Sequence, residues 1–204
     1  KMLKSRSGDP LKFIDLIDEA VSRGQASMAE RAPDMPADER EQLGRLIGVG
    51  ALKYAELSSD RIKDYVFDWQ RMLAFDGNTA PYLQYAHARL CSIFRRAEAE
   101  HGITRTSVHT VSPALAEPAE RALALQLLQF DAVVHDTADK FSPHKLCTYL
   151  FDLAQAFTAF YEACPVLKEG HEATRSSRLA LCDLTARTLA CGLGLLGIAA
   201  PERM

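Results

Sequence analysis

Apolar residues recur at helical spacing along almost the whole chain, and no other feature of the sequence limits the possible folds as much. One stripe is especially regular: Leu83, Ala86, Leu90, Ile93, Phe94 and Ala97. Spacings of three and four residues place these side chains on one face of a helix. The strand-like run Tyr65-Val66-Phe67 is too short to found a sheet, and no segment alternates apolar and polar residues for longer. The sequence therefore predicts an all-α fold.

The first third of the chain is predicted to contain two helices joined by a linker. Apolar residues within 13–21 predict a short amphipathic helix that ends near Gly24, and residues 25–36 are predicted to form the linker. A proline followed closely by two acids predicts a second helix that starts at Pro36 and runs to about Leu57. Three glycines lie within it: Gly44, Gly48 and Gly50. Each costs about 1 kcal/mol of helix propensity relative to Ala, so we expect them to allow close contact with another helix.

The rest of the chain is predicted to consist of helices separated by two irregular segments. Asn78 is expected to cap a helix that ends at residues 101–102, and residues 119–130 are predicted to be helical, with a related pattern up to residue 138. Another helix starts at residues 142–143 and ends before Pro165, and its apolar stripe is Leu146, Tyr149, Leu150, Leu153, Phe157 and Phe160. A last leucine-rich helix is expected to end at Gly197. The irregular segments are residues 58–77 and 103–118.

Charge, cysteine content and hydropathy narrow the classes of function. The net charge of -3 provides no overall attraction for nucleic acid, so RNA binding would require a local patch of cations. The five cysteines are scattered, without a C-x-x-C pair, which favours free and mostly buried thiols in a cytoplasmic protein over a zinc site or a disulfide framework. No apolar run approaches the roughly 18 residues that cross a bilayer, so we expect no membrane contact.

No self-contained catalytic site is visible in the sequence. The chain contains no Walker loop, G-x-S-x-G, H-E-x-x-H or G-x-G-x-x-G motif, and none of its six histidines pairs with another at a spacing of four. Asp15, Asp18 and Glu19 lie where the solvated face of an amphipathic helix is expected. We therefore expect this chain alone to bind neither a metal nor a cofactor.

The opening segment, residues 1–8, is the one exception. It contains three cations, two serines and a glycine. Such a loop suits polyphosphate, because Lys supplies a point charge, Arg supplies a bidentate fork and Gly allows close backbone approach. A solvated basic terminus is the alternative explanation of the same composition.

The order of the opening residues carries a family resemblance. Lys1-Met2-Leu3-Lys4-Ser5 matches the K-M-S-K-S signature of class I aminoacyl-tRNA synthetases, with Leu3 in place of the central Ser, and Arg6-Ser7-Gly8-Asp9 resembles the arginyl-tRNA synthetase form of this loop. Further blocks follow in the family's order: 48–55 (GVGALKYA), 67–69 (FDW), 76–89 (DGNTAPYLQYAHAR), 196–198 (LGI) and 202–204 (ERM). The blocks cover essentially the whole chain, which is identified as a member of the arginyl-tRNA synthetase family, of bacterial type.

The resemblance implies three parts: the signature loop at residues 1–8, a helical connecting segment at 9–74 and an anticodon-binding helical bundle at 75–204. In this family a Rossmann-type core with an H-I-G-H motif binds arginine, ATP and Mg²⁺, and that core is absent from this chain. Lys4 takes the position of the signature lysine that stabilises phosphates during adenylate formation, and Lys1 and Ser5 belong to the same loop. We therefore expect a piece of a longer enzyme that is inactive by itself and needs no cofactor.

The resemblance also implies where tRNA binds. Tyr85 matches the tyrosine of the family's Q-Y-A-H-A-R stretch, Tyr161 matches the tyrosine of a Phe-Tyr pair, and Met204 matches a terminal methionine that packs near the anticodon. Unstacked anticodon bases can stack on such rings. Tyr82 and Tyr149 are further candidates, although both also fit the buried stripes of their helices.

Two groups of arginines are candidate phosphate contacts. One group shares a helix with Tyr85 and the other lies on the last helix: Arg89, Arg95 and Arg96, then Arg175, Arg178 and Arg187. Arg89 of the first group and Arg178 of the second are among the predicted tRNA contacts. The alternative is that these arginines are ordinary solvated side chains.

The expected partners are an arginine-accepting tRNA and the N-terminal and Rossmann modules of the same chain, in a cytoplasmic, monomeric enzyme. The alternative function is a helical protein-interaction module derived from the same family.

Overall fold

The computed structural model describes residues 12–63 and 67–204. Within these residues the chain forms helices and no strand, so the predicted all-α class is confirmed. The helices are α1 (Phe13–Arg31), α2 (Ala37–Ser58), α3 (Trp69–Met72), α4 (Ala80–His101), α5 (Pro118–Leu128), α6 (Phe130–Lys140), α7 (Pro143–Ala163) and α8 (Glu172–Leu195), with a short 3₁₀ helix at Thr106–Val108.

The first helix is longer than predicted. It does not end near Gly24 but continues to Arg31, so most of the expected linker is helical. The reason is the position of Gly24 opposite α2, where a Cβ atom on Gly24 would lie 2.1 Å from the carbonyl oxygen of Gly44. A Cβ atom on Gly48 would likewise lie 2.0 Å from the carbonyl oxygen of Ala20. Glycine at these positions serves backbone contact between α1 and α2, as expected for the glycines of α2.

The main core lies among α4, α5, α7 and α8. The predicted apolar stripe of α7 is entirely buried: Leu146, Tyr149, Leu150, Leu153, Phe157 and Phe160. It packs against leucines of α8, of which Leu179 and Leu189 are fully buried. Removing a buried leucine side chain of this kind costs about 2–5 kcal/mol, so this core fixes the positions of the α4, α7 and α8 surfaces relative to one another.

The start of α4 is held by two neighbouring polar residues. The N-cap is Thr79 rather than the predicted Asn78, since the Thr79 Oγ1 accepts a hydrogen bond from the backbone N–H of Tyr82 at 3.2 Å. Asn78 instead faces α2, and its Oδ1 accepts from the Tyr54 hydroxyl at 2.6 Å. The same hydroxyl lies 2.9 Å from the Cys147 carbonyl oxygen in α7. This contact joins the start of α4 to both α2 and α7.

The remaining boundaries largely follow the prediction. Gly102 and Gly197 have φ angles of 66° and 68°, and they follow the ends of α4 and α8 as expected. The segment between α4 and α5 is a loop apart from its 3₁₀ turn, and a break at Gln129 separates α5 from α6. The strand-like residues Tyr65 and Val66 lie outside the described residues.

Three further observations concern the cysteines, the hydropathy of the helices and the grouping of metal-binding side chains in the described ranges. All five cysteines are free and only Cys191 is exposed, as predicted. Within residues 12–63 and 67–204, no helix has the length and hydropathy to span a bilayer. The same residues contain no group of three or more His, Cys, Asp or Glu side chains arranged to hold a metal ion.

Candidate nucleic-acid interface

One outward face of α4 carries an aromatic residue followed by cations. Tyr85, Arg89 and Arg96 follow one another at spacings of four and seven residues, which places them on the same side of the helix. Tyr85 is 48% exposed although it is a large aromatic residue in a well-packed helix. We call these three residues, together with Tyr161 of α7, the α4 strip.

Tyr161 lies beside the strip at the end of α7. The guanidinium carbon of Arg89 lies 4.6 Å from the centroid of the Tyr161 ring. The centroid of the Phe157 ring lies 5.8 Å from the centroid of the same Tyr161 ring. A cation over an aromatic face is worth about 0.5–1 kcal/mol at an exposed site. The contact therefore joins Arg89 and Tyr161, two of the residues predicted to bind tRNA, into one surface.

A cleft of about 400 Å³ opens beside Tyr85 and brings three elements together. Its walls are Met28 and Arg31 of α1, Phe75, Tyr85 of α4 and Met204 at the chain end. The Arg31 guanidinium lies 4.0 Å above the Phe75 ring. We call this space the Tyr85 cleft. Its walls are flat or flexible apolar groups with one cation, a combination that accepts a planar heteroaromatic ring.

Met204 reaches this cleft because the last residues are fastened to α4. The Nε2 of Gln84 donates to the Ala199 carbonyl at 2.9 Å, and an Arg95 guanidinium N–H donates to the Glu202 carbonyl at 3.0 Å. His87 contacts the Pro201 carbonyl through Nδ1 at 2.9 Å. The inner face of α4 thus holds the backbone that carries Met204.

His87 holds the tail as a neutral imidazole. Burial lowers the pKa of His87 below its usual value, although the hydrogen bond to Pro201 acts in the opposite direction. Because a carbonyl oxygen can only accept, the Nδ1 of neutral His87 must carry the proton. Sequence reasoning missed this clamp, although its polar side chains Gln84, His87 and Arg95 recur at helical spacing on α4.

Arg178 does not belong to this surface. Its side chain is buried, with 7% of the residue exposed, and its Nε donates to Glu120 at 2.8 Å. One Nη donates to both Glu169 and the Pro165 carbonyl, each at 2.8 Å. Burial alone would raise the pKa of Glu120, but hydrogen bonds from Glu117 and Arg178 and the Arg178 charge hold it below its usual value. Arg178 is buried, and its Nε and one Nη are occupied by protein groups, so the prediction that it contacts phosphate is corrected to a structural role.

The two weaker tyrosines are parts of the core. Tyr149 is buried and its hydroxyl donates to the Gln126 carbonyl at 3.0 Å. Tyr82 is half-buried, and its ring lies 5.6 Å from the Phe151 ring, between centroids. Neither ring lines the Tyr85 cleft.

Lys1, Lys4 and Ser5, the predicted catalytic residues, lie outside the described ranges.

Two family models match this chain. Residues 83–204 match a family model described as the DALR anticodon binding domain, and residues 1–69 match one described as the catalytic domain of class I (R) tRNA synthetases. The arginine–tRNA ligases of Thermobifida fusca and Klebsiella pneumoniae are 54% and 50% identical to this chain over 204 residues. These matches cover the whole chain but only 34% and 35% of the relatives.

Solved structures agree with the sequence relatives. Thermus thermophilus arginyl-tRNA synthetase is 40% identical, with a TM-score of 0.84 over 97% of this chain and 33% of that one. The Plasmodium falciparum enzyme is 33% identical, also with a TM-score of 0.84, over 95% of this chain and 34% of that one. The chain therefore belongs to the arginyl-tRNA synthetase family, and residues 83–204 are its DALR anticodon-binding domain.

Proposed function

We propose that this chain is the tRNA-binding C-terminal part of an arginine–tRNA ligase, and that the Tyr85 cleft receives a base of the anticodon loop. The observation that carries the proposal is the meeting of Tyr85, Phe75 and Met204 around one opening of about 400 Å³. Single-stranded RNA is recognised when unstacked bases lie on aromatic rings or guanidinium planes and bond through their exposed edges.

Each wall of the Tyr85 cleft has a distinct part in this proposal. The exposed ring of Tyr85 and the ring of Phe75 stack on the base, an interaction worth about 1–3 kcal/mol per base. Met204 closes the cleft with a flexible apolar side chain, which adapts to the outline of the base. Arg31 lies over Phe75 and presents N–H groups at the rim, where the acceptor edge of a base or a phosphate can meet them.

The Arg89–Tyr161 pair continues the surface along α4. Its guanidinium is close to an aromatic ring, so the pair can stack on a neighbouring base and still offer N–H donors to the RNA backbone. The net charge of -3 leaves no general attraction for RNA. Local cations beside aromatic rings therefore account for specific binding better than the overall charge does.

The proposed activity of the whole protein is the ATP- and Mg²⁺-dependent attachment of arginine to its tRNA, carried out by a cytoplasmic monomer. Lys4 would stabilise phosphate charge during adenylate formation, with Lys1 and Ser5 in the same loop. The 204-residue chain by itself is expected to make no arginyl adenylate. ATP–pyrophosphate exchange with the purified chain tests this, and exchange above background would contradict it.

Direct titration tests RNA binding. An anticodon stem-loop from an arginine-accepting tRNA is titrated with the chain at several salt concentrations, beside a stem-loop with a changed anticodon. We expect tighter binding to the first RNA and a log–log fall of affinity with salt. Absent or salt-insensitive binding would overturn the proposal and favour the alternative, a helical protein-interaction module.

Two tyrosine variants connect this titration to the cleft. Tyr85→Ala is expected to weaken binding about 5- to 150-fold, the range that corresponds to about 1–3 kcal/mol per stacked base. Tyr82→Ala removes a ring of the same chemistry that does not line the cleft, and it serves as the matched control. Equal losses in both variants would contradict the assignment of the base to the Tyr85 cleft.

A further inference from the structure

We propose that Arg96 and Lys168, beside Tyr161, form a separate subsite for an RNA backbone phosphate several nucleotides along the strand from the base held in the Tyr85 cleft. This subsite rests on the proposed function, since its ligand is the same RNA strand. The subsite adds Lys168 to the proposed RNA-binding surface. It also includes Arg96 and leaves out Arg178, which holds the fold.

The subsite is a second cleft, of about 300 Å³, at the far end of the α4 strip. Arg96 of α4 and Tyr161 and Glu162 of α7 form one side of it, and the segment 165–168 forms the other. Tyr161 also contacts Arg89, so the second cleft is continuous with the strip that begins at Tyr85. The structure therefore connects the two clefts by a path of cations and one aromatic ring.

The length of this path fits more than one nucleotide. Tyr85 and Arg96 are eleven residues apart on α4, which corresponds to about 16 Å at a rise of about 1.5 Å per residue. Successive phosphates of one stacked strand are about 3.4 Å apart along the helix axis. A stacked strand with one base in the Tyr85 cleft therefore places a phosphate about five nucleotides further along within reach of the second cleft.

Both cations of the subsite keep donors available. The Nε of Arg96 donates to Glu100 at 3.0 Å across an exposed helix turn, and its terminal nitrogens have no partner in the described ranges. Lys168 is exposed and forms no ion pair with any residue that the structure describes. Glu162 at the rim disfavours a second anion beside the first, so the subsite fits a single phosphate better than a run of acidic side chains.

The loop that carries Lys168 is held in place by three cationic or polar side chains. Arg178 donates to the Pro165 carbonyl and to the Glu169 carboxylate, and Arg175 donates to the Glu169 carbonyl at 2.8 Å. The Nε2 of His101 lies 3.1 Å from the Leu167 carbonyl oxygen. The backbone on each side of Lys168 is therefore fixed before RNA arrives, which makes Arg178 a positioning residue for this subsite.

The salt dependence of binding tests this assignment. The double variant Arg96→Ala/Lys168→Ala is compared with Arg61→Ala/Lys140→Ala, which also removes one Arg and one Lys. The control cations lie near the junction of α6 and α7, at the opposite end of α7 from Tyr161, because Arg61 donates to the Phe141 carbonyl and Lys140 pairs with Asp136. Melting curves of both variants verify that the fold is retained.

We expect the subsite variant to lower the log–log salt slope by about 0.7, the value for one neutralised phosphate of a single strand. The control is expected to keep the slope of the unaltered chain. Tyr85→Ala should weaken binding without changing the slope, because stacking releases no counterions. An unchanged slope in Arg96→Ala/Lys168→Ala, with normal binding by the unaltered chain, would overturn the subsite alone. Absence of binding by the unaltered chain would overturn the proposed function and the subsite together.

Discussion

Helices α4 and α8 carry three arginines each, yet the structure uses them in opposite ways. On α8 every arginine has a partner within the protein. Arg175 donates to the Glu169 carbonyl, Arg178 contacts two carboxylates and a carbonyl, and Arg187 lies 3.5 Å from the Asp183 carboxylate. On α4, Arg95 donates to a backbone carbonyl and the Nε of Arg96 donates to Glu100 across an exposed helix turn, whereas Arg89 lies over an aromatic ring. Arg175 and the buried Arg178 of α8 hold the fold, and Arg89 and the terminal nitrogens of Arg96 remain available to a ligand.

The arginines of the two helices differ in role because different groups pack against them, and not because of the arginine side chains themselves. Glu120, the main partner of Arg178, lies 58 residues away in sequence and is buried at the start of α5. A buried carboxylate draws an arginine inward, because either charge alone would be costly to bury. Within residues 12–63 and 67–204, Arg89 forms no ion pair with a carboxylate and lies instead over the Tyr161 ring. An arginine-rich helix therefore indicates RNA binding only once the structure shows which of its arginines are paired with buried carboxylates.

The largest expected effect is on the α8 side of the comparison. Arg178→Ala leaves Glu120 buried without its cation, which costs about 3–5 kcal/mol of the free energy of unfolding. Arg187→Ala on the same helix removes an arginine whose side chain is 53% exposed, and it should cost about 1 kcal/mol or less. Urea unfolding of both variants measures the difference, and equal losses would break the distinction between buried and exposed arginines.

The pH dependence of stability tests the ion pair between Glu120 and Arg178. The pKa of Glu120 is lowered in the folded protein, so its ion pair stabilises the fold above the unfolded-state pKa and that stabilisation is lost as the pH falls through the folded-state value. At pH 7, Glu120→Gln should cost about 1.5–3 kcal/mol, the usual worth of a hydrogen bond to a charged group. Unfolding measured from pH 7 down to pH 3 should show this difference shrinking. A constant difference would contradict the role of the Glu120 charge.

Arg95 provides an intermediate case on α4. Arg95→Ala removes one hydrogen bond to the tail and should lower the free energy of unfolding by about 0.5–1.5 kcal/mol. Because the tail positions Met204 in the Tyr85 cleft, the same variant should also weaken binding of the anticodon stem-loop. Loss of stability without loss of binding would show that the clamp on the tail does not organise the cleft.

The smallest expected effect on stability is at Arg89. Arg89→Ala removes a contact with the Tyr161 ring at a half-buried position, so the free energy of unfolding should change by no more than about 1 kcal/mol. Binding of the anticodon stem-loop should nevertheless weaken, and its salt dependence should decrease. Arg89→Lys keeps the charge but loses the planar guanidinium, so partial recovery of binding is expected. A large loss of stability in Arg89→Ala would place Arg89 in the same class as Arg178.

Local sequence patterns predict most of the helices and the core stripe of α7, because those features depend on spacing within one segment. The pattern misplaces the end of α1, since Gly24 resembles a helix stop until α2 is seen packed against it. The fastening of the C-terminal tail to α4 could not be predicted, because each hydrogen bond joins residues more than a hundred positions apart. The resemblance pointed to Tyr85 and Met204 separately, and only the fold places them in one cleft.

Cross-linking tests most directly which face of the molecule meets RNA. An arginine-accepting tRNA with a photoreactive base in its anticodon is irradiated with the chain, and the modified residues are mapped by mass spectrometry. We expect adducts at Tyr85, Tyr161 or Met204. Adducts confined to α5 or to the exposed face of α8 around Arg187, with those three residues unmodified, would contradict it.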